Sequence, residues 1–341
     1  MRFGAFYLLQ SPQARPSAEV YKRKLALIAY ADELGFDSVW IAEHHFSNYG
    51  YSPNPLLLAV KAAQITKHVR IGTAVLVLPF WHPLRLAEDV AMTDVLTDGR
   101  LEVGVARGYQ PYEFDRFGLN IEESRERSDE TLEVFLKALN GGAVSHEGVH
   151  YTIPDTTTYP RPVQQPRPPV WLAAATADSF RTAVHRGLNC FTSASTRPLS
   201  VPQQSWDNFA EARRELGATG PYEFAVQQHL HVTASDAEAR SRMEHSLWHY
   251  RQSNLLRRGQ ARVVAGVAQD DPVANEPSLD DLWENLTLSG SPARVRDGIA
   301  RYQQTIGLTQ LNCIFDLGEL DGDAVRASMR LFIEQVAPHF R

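Results

Sequence analysis

Hydrophobic and polar positions along the chain fall into two alternating rhythms. Apolar runs of about four to eight residues, alternating or continuous, predict strands, and longer runs with apolar positions three and four apart predict helices. Strands are expected at residues 2–7, 38–42, 69–77, 101–105, 170–173, 189–192, 223–232 and 310–315. The helices expected after them lie at 18–34, 56–66, 83–96, 121–139, 179–186, 203–215, 235–250 and 324–336. Eight strand and helix pairs in succession predict an α/β fold, a single closed (β/α)8 TIM barrel, rather than an open doubly wound sheet. No G-x-G-x-x-G follows the first strand to mark a dinucleotide fold.

The whole chain, 1–341, reads as one barrel domain with two insertions. Residues 141–169 are rich in proline, with Pro160, Pro162, Pro166 and Pro168. Residues 257–288 carry Gly266, Pro272, Pro277 and the acidic pairs Asp270/Asp271 and Asp280/Asp281. Long irregular segments within a compact domain are commonly lids, and the second is the expected one.

Composition narrows the class. At 43% hydrophobic and 22% charged, the chain can bury a large core, yet it holds no apolar run long enough to span a bilayer. Its N-terminus reads as a first strand rather than a signal peptide, so a cytoplasmic protein is expected. The formal charge of -6, from 34 basic and 40 acidic residues with no basic stripe, argues against nucleic acid as a partner. Cys190 and Cys313 lie in apolar segments without metal-binding spacing, which predicts buried thiols.

Candidate chemistry gathers at strand ends. The strand at 38–42 runs directly into Glu43, His44 and His45, delivering three proton-handling groups to the end where parallel barrels keep their active sites. Adjacent residues on extended chain point oppositely, so one of the two histidines is expected to pack away from the site. On residues 223–232, period-2 geometry puts Gln227, His229 and His231 on one face, and three polar groups there suit a site more than a core. Arg107 and Gly108 follow the fourth strand, where a cation meets an anion and a glycine permits close approach. Thr176, Asp178 and Ser179 are cap candidates at a helix start; with Arg107 and Arg125 they could clamp a phosphate.

These residues resemble the bacterial luciferase-like flavin-dependent monooxygenases, with the pattern nearest that of the luciferase α-subunit. The resemblance is densest in MRFGAFYLL, GFDSVWIAEHHFSNYG, IGTAVLVLPFWHPLRLAEDV, GRLEVGVARG and FDRFG, with weaker echoes in VWLAAATADS and SMRLFIEQVAPHF. It implies a barrel that binds FMN, supplied as FMNH2 by a separate flavin reductase, with a non-prolyl cis peptide at Ala74 and Val75 behind the ring. It implies that His44 is the catalytic histidine, that Arg107 and Arg125 lie on the phosphate side, and that Ala175, Thr176 and Ser179 form the phosphate-binding turn. His231 stands where alkanesulfonate-type relatives have an active-site histidine, and His229 where they have an arginine. His45, Phe46, Trp81, Tyr109 and His229 are the expected substrate-pocket residues.

The implied activity is oxygenation of a small, mainly apolar organic substrate with O2 through a flavin C4a-(hydro)peroxide. Ala106 replaces the reactive cysteine of the luciferase α-subunit and Ala194 an aromatic, so light emission from a long-chain aldehyde is not expected. A deazaflavin-dependent oxidoreductase of the same superfamily is the nearest alternative. Others are a metal-dependent barrel hydrolase, through His229-Leu230-His231, and a non-catalytic flavin-binding protein. The apolar helices at 56–66 and 83–96 resemble those through which family members pair, which predicts a homodimer.

Overall fold

The computed structural model describes residues 1–316, 318 and 320–341. Eight parallel strands close a barrel: β1 (Arg2–Tyr7), β2 (Ser38–Ile41), β3 (Arg70–Thr73), β4 (Leu101–Ala106), β5 (Val170–Ala173), β6 (Asn189–Ser193), β7 (Phe224–Val232) and β8 (Gln310–Ile314). Each pairs with its neighbours in chain order, and β8 pairs with β1 to complete the ring, Arg2 opposite Gln310 and Ala5 opposite Cys313. The expected (β/α)8 barrel is the fold.

The expected strand at 69–77 is interrupted. It divides into β3 and the short piece Leu76–Val77 on either side of a cis peptide at Ala74–Val75, and both pieces pair with β4.

Helices α1 (Ser17–Glu33), α2 (Pro55–Ile65), α3 (Pro83–Leu96), α4 (Ser124–Leu139), α5 (Ala177–His185) and α6 (Ser200–Glu215) follow the first six strands. Asn54 caps α2 through Leu56 N–H and Leu57 N–H, and proline opens α2 and α3 at positions where no amide hydrogen is needed. After β7 the chain forms α7 (Met243–Arg257), the irregular segment, and then α8 (Pro292–Thr305), which packs beside β7; α9 (Gly322–Gln335) follows β8. The helix expected at 235–250 thus does not complete the seventh unit. It divides into the short helix Asp236–Ser241 and α7, and α7 lies over the barrel mouth against the short helix Pro111–Arg116.

Inside the barrel, Trp40 and Trp171 meet edge to face at 5.4 Å, with Phe6, Phe191 and Ile314 around them. At the strands' N-terminal ends Glu102 takes the Arg70 Nε–H at 2.5 Å and the Trp171 Nε1–H at 2.7 Å. That end is filled, and the open space found among the described residues lies above the strands' C-terminal ends.

The insertion at 141–169 forms an antiparallel hairpin, Val144–Glu147 with Thr152–Thr156, fixed to the outside of α4 by Glu130, which accepts from the His150 and Tyr151 amides. The insertion at 257–288 carries the hairpin Val263–Val264 with Val267–Ala268. Asn48 ties that hairpin to the loop after β2: its amide donates to Gly266 O and its side chain accepts from Ala268 N–H, both at 2.8 Å. Both cysteines are buried thiols. Among the described residues no helix is long and apolar enough to cross a membrane.

Candidate active site

A cavity of about 530 Å³ opens at the C-terminal ends of the strands. His44 reaches it from the end of β2, in a loop that closes tightly because residue 50 is glycine: a Cβ there would lie 2.7 Å from His44 Cβ. The imidazole Nδ1 is 3.1 Å from Glu113 Oε1 and 3.0 Å from Gln110 Nε2. Glu113 Oε1 also accepts the His45 amide at 2.8 Å. Nδ1 therefore faces both an acceptor and a donor, and has a partner whether or not it carries the proton. Nε2 has no hydrogen-bond partner among the described residues, and the ring lines the cavity. Tyr49 meets the ring edge to face at 4.8 Å.

The second histidine turns away. His45 donates or accepts at Glu43 Oε1, 2.9 Å from Nε2, and its ring is enclosed by Phe46, Phe80 and Phe117. Glu43 lines the cavity and accepts from Val77 N–H at 3.0 Å and from Trp81 Nε1–H at 3.2 Å, holding the chain just beyond the cis Ala74–Val75 peptide. Burial pushes the Glu43 carboxyl up, against the pull of its His45, Val77 and Trp81 hydrogen bonds. Ala74, Val75 and Tyr109 line the cavity; His45, Phe46 and Trp81 stand behind its wall, with Phe46 44% exposed at the surface.

At the open end, Arg107, Arg125, Ala175, Thr176 and Ser179 all line the cavity. Thr176 caps α5 by accepting from Ser179 N–H, and Ser179 Oγ accepts from the Thr176 amide at 3.0 Å, the reciprocal pair of a capping box. Gly108, at φ +81°, turns the chain after Arg107 where a Cβ would meet Val77 Cγ1 at 2.7 Å. Arg125 is paired with Asp178 at 3.3 Å. Asp129 is pushed up by burial, opposed by Arg125, Arg186 and Arg107. The donor set at this end suits an anion.

The β7 histidines are placed otherwise than expected. Gln227 lines the cavity, but His229 lies behind it, its Nδ1 3.3 Å from Ser246 Oγ and its ring 4.5 Å from that of His249. His231 lies farther out, its Nε2 2.6 Å from Arg242 Nη1. The physical reason is the length of β7: pairing with β6 ends at Gln227, and His231 pairs instead with Ser289 outside the ring. Alternation along the strand is kept, but the face it defines leaves the barrel. Burial pushes both imidazoles down to about 3. With Arg242 beside His231, the two do not converge, and among the described residues no three His, Cys, Asp or Glu side chains could hold a metal ion.

Glu113, Gln110, Arg197, His249 and Arg257 are further polar groups of the site that carry no local sequence signal. Only the short acidic helix PYEFDR marks Glu113 at all. His249, on α7, is 2.8 Å from Gln10 Nε2 through its Nδ1 and is pushed well down by burial and by His229.

The model of the family described as Luciferase-like monooxygenase matches residues 1–309. The oxygenase component of the flavin-dependent trigonelline monooxygenase of Acinetobacter baylyi is 28% identical, covering 100% of this chain and 96% of its own. Among solved structures, monooxygenase RslO1 from Streptomyces bottropensis has a TM-score of 0.88 at 28% identity, with 100% of each chain covered. The oxygenating constituent of 3,6-diketocamphane monooxygenase from Pseudomonas putida, solved with FMN, shares the fold at a TM-score of 0.81 and 22% identity, over 99% of this chain and 98% of its own. A family match that runs through the first seven barrel strands and every element lining the cavity decides the matter: this chain belongs to the luciferase-like, flavin-dependent monooxygenases.

Proposed function

We propose that the protein is the oxygenase component of a two-component system, taking FMNH2 from a separate flavin reductase and using O2 to oxygenate a small organic substrate with an apolar skeleton. One observation carries this reading: a single cavity joins an anion-binding end to a proton-handling end across a wall of small apolar residues, Ala74, Val75, Ala106 and Ala174. The residues suit FMN. Arg107, Arg125, Thr176, Ser179 and the start of α5 would hold its phosphate, and the small residues leave room for a flat ring.

Bound reduced flavin supplies the electrons that activate O2. His44 takes up a proton at Nε2 while Glu113 accepts from Nδ1–H, and the imidazolium so formed returns it from Nε2 with the Glu113 bond kept; in the other neutral tautomer Gln110 donates to Nδ1 and Nε2–H serves as a hydrogen-bond donor. Tyr49, packed on the ring at 4.8 Å, keeps water from that side of it.

The test is turnover under 18O2 with NADH, FMN and an FMN reductase, offering ketones, aldehydes and aromatics and reading products by mass spectrometry. One 18O per product molecule is expected. Absence of label in every product, together with substrate reduction by the reduced deazaflavin, would assign hydride transfer instead.

The same reading includes a homodimer. Leu57 on α2 and Met92, Val95 and Leu96 on α3 are 70%, 46%, 41% and 51% exposed, an apolar surface on two adjacent helices that a two-fold contact would cover. Sedimentation should give twice the 38.2 kDa chain mass at micromolar concentration; a monomer there would exclude an obligate pair.

A further inference from the structure

Four arginines line the cavity, and they form two separate pairs. Arg107 and Arg125 line it with Asp129 and the α5 turn, whereas Arg197 and Arg257 line it with Tyr49 and Tyr109, and Arg257 is the charged neighbour of Arg197. Arg197 belongs to the loop after β6 and is half-buried; Arg257 ends α7 at the rim and is exposed. The Arg257 guanidinium stands 4.5 Å from the centre of the Tyr109 ring, and the Tyr109 hydroxyl is 3.4 Å from that of Tyr49, whose ring packs on His44. This second pair therefore sits beside the catalytic histidine, away from the anion-binding turn.

Neither guanidinium of the second pair has a hydrogen-bond or ion-pair partner among the described residues. Burial and the neighbouring Arg257 both pull the Arg197 pKa down. Two residues earlier, the Ser195 hydroxyl is buried on the cavity wall with no partner. Arg197 is thus half-buried beside a like charge with no carboxylate to answer it, a setting that favours an anion. A ligand that brings the missing negative charge would relieve all three groups together, and guanidinium recognises carboxylate with two parallel hydrogen bonds.

We propose that the substrate is an organic acid whose carboxylate is held by Arg197 and Arg257, with Ser195 Oγ as a further donor, while its apolar skeleton lies along Tyr49 and Tyr109 toward His44. The inference rests on the oxygenase reading only for which end of the cavity holds the substrate. It adds a charge requirement to the apolar skeleton named above.

Binding is measured by calorimetry on the FMN-loaded protein, so that the open-end arginines are occupied, with two matched pairs of probes: benzoate against benzamide, and hexanoate against hexanamide. In at least one pair the acid should bind tenfold or more tightly than the amide. R197Q should abolish that preference and R257Q should reduce it at least threefold. Absence of a preference in both pairs, or a preference that either variant leaves intact, overturns the proposal. If FMN itself does not bind, the same titrations are run on R107A, which removes the competing anion site; an acid preference there keeps this inference while the oxygenase reading fails. FMN binding without any acid preference does the reverse.

Discussion

At the open end of the cavity Arg107, Arg125 and Thr176 are exposed and Ser179 half so, whereas at the closed end Glu43, His44, Glu113 and His249 are all less than a tenth exposed. The open-end donors can keep water until a ligand arrives, so each adds to binding almost independently. The closed-end groups have given up water and answer one another: Glu113 serves both His44 Nδ1 and the His45 amide, and Glu43 serves His45, Val77 and Trp81. Taking one member away there leaves another buried and unsatisfied. Substitutions at the two ends should therefore fail differently, affinity being lost in increments at one and chemistry or stability as a unit at the other.

The largest difference should come from acid. His229 and His231, buried behind the closed end, are held near a pKa of about 3, while in the unfolded chain they titrate near the usual 6.5. The unfolded state binds more protons throughout that window, so stability is complete above pH 6.5 and falls as pH drops toward 3. The slope is ~1.4 kcal/mol per pH unit for each histidine. Urea unfolding at pH 7 and pH 5 measures it. His229→Asn keeps an acceptor for Ser246 but cannot titrate, and should lose roughly 2 kcal/mol less than the parent over that interval. A parent whose stability is flat from pH 7 to 5 would mean that water reaches these rings, and the contrast between the ends would collapse.

His44→Ala is next. It removes an imidazole that lines the cavity with an unpartnered Nε2, while Arg107, Arg125 and the α5 turn are untouched. Product formation should drop on the order of a hundredfold, the usual worth of a positioned acid-base group, and FMN affinity should hardly change. Stopped-flow turnover beside FMN titration checks both halves; unchanged turnover would take His44 out of the mechanism.

Most of the barrel was legible because its signals are local and repeated. Each strand appears as an apolar run, and each of the first six helices as a run of matching period that ends within a few residues of its observed bounds. What misled was α7: its amphipathic pattern says that one face is buried but not against what, and the face that holds Ser246, His249 and Gln252 covers the mouth instead of the barrel's flank. The site divides in the same way. His44, Arg107 and the cap at Thr176 follow strand ends or helix starts and carry their own context, whereas Glu113 meets His44 across 69 residues and Arg257 meets Tyr109 from the end of α7, beyond the helix that the pattern predicts at 235–250. Alternation correctly put Gln227, His229 and His231 on one face; it could not say that the strand outruns its neighbour.

Arg107→Ala brings the test to the open end. Arg107 has no ion-pair partner among the described residues and stands beside the α5 turn, so its guanidinium is available to a phosphate. Its loss should weaken FMN by roughly 1.5 to 3 kcal/mol, the range for hydrogen bonds to charged groups, and riboflavin by much less. Equal losses for the two ligands would put the phosphate elsewhere in the cavity and break the assignment of the ends.

Arg125→Ala should have the smallest effect, and for a structural reason. Its guanidinium already faces Asp178 at 3.3 Å, with the two side chains 55% and 66% exposed, so a phosphate must compete with a carboxylate and with water for the same hydrogens. Exposed pairs of this kind contribute ~0–1 kcal/mol, and the loss in FMN affinity should stay below about 1 kcal/mol, less than fivefold or so. Salt sharpens the prediction, because solvent-exposed charges are screened while a shielded contact is not. FMN affinity of the Arg125→Ala protein should fall less steeply with added sodium chloride than that of the parent. A loss as large as that for Arg107→Ala would instead show that Arg125 leaves Asp178 and closes on the ligand. The open end would then be assembled by binding, and its independence from one donor to the next would be gone.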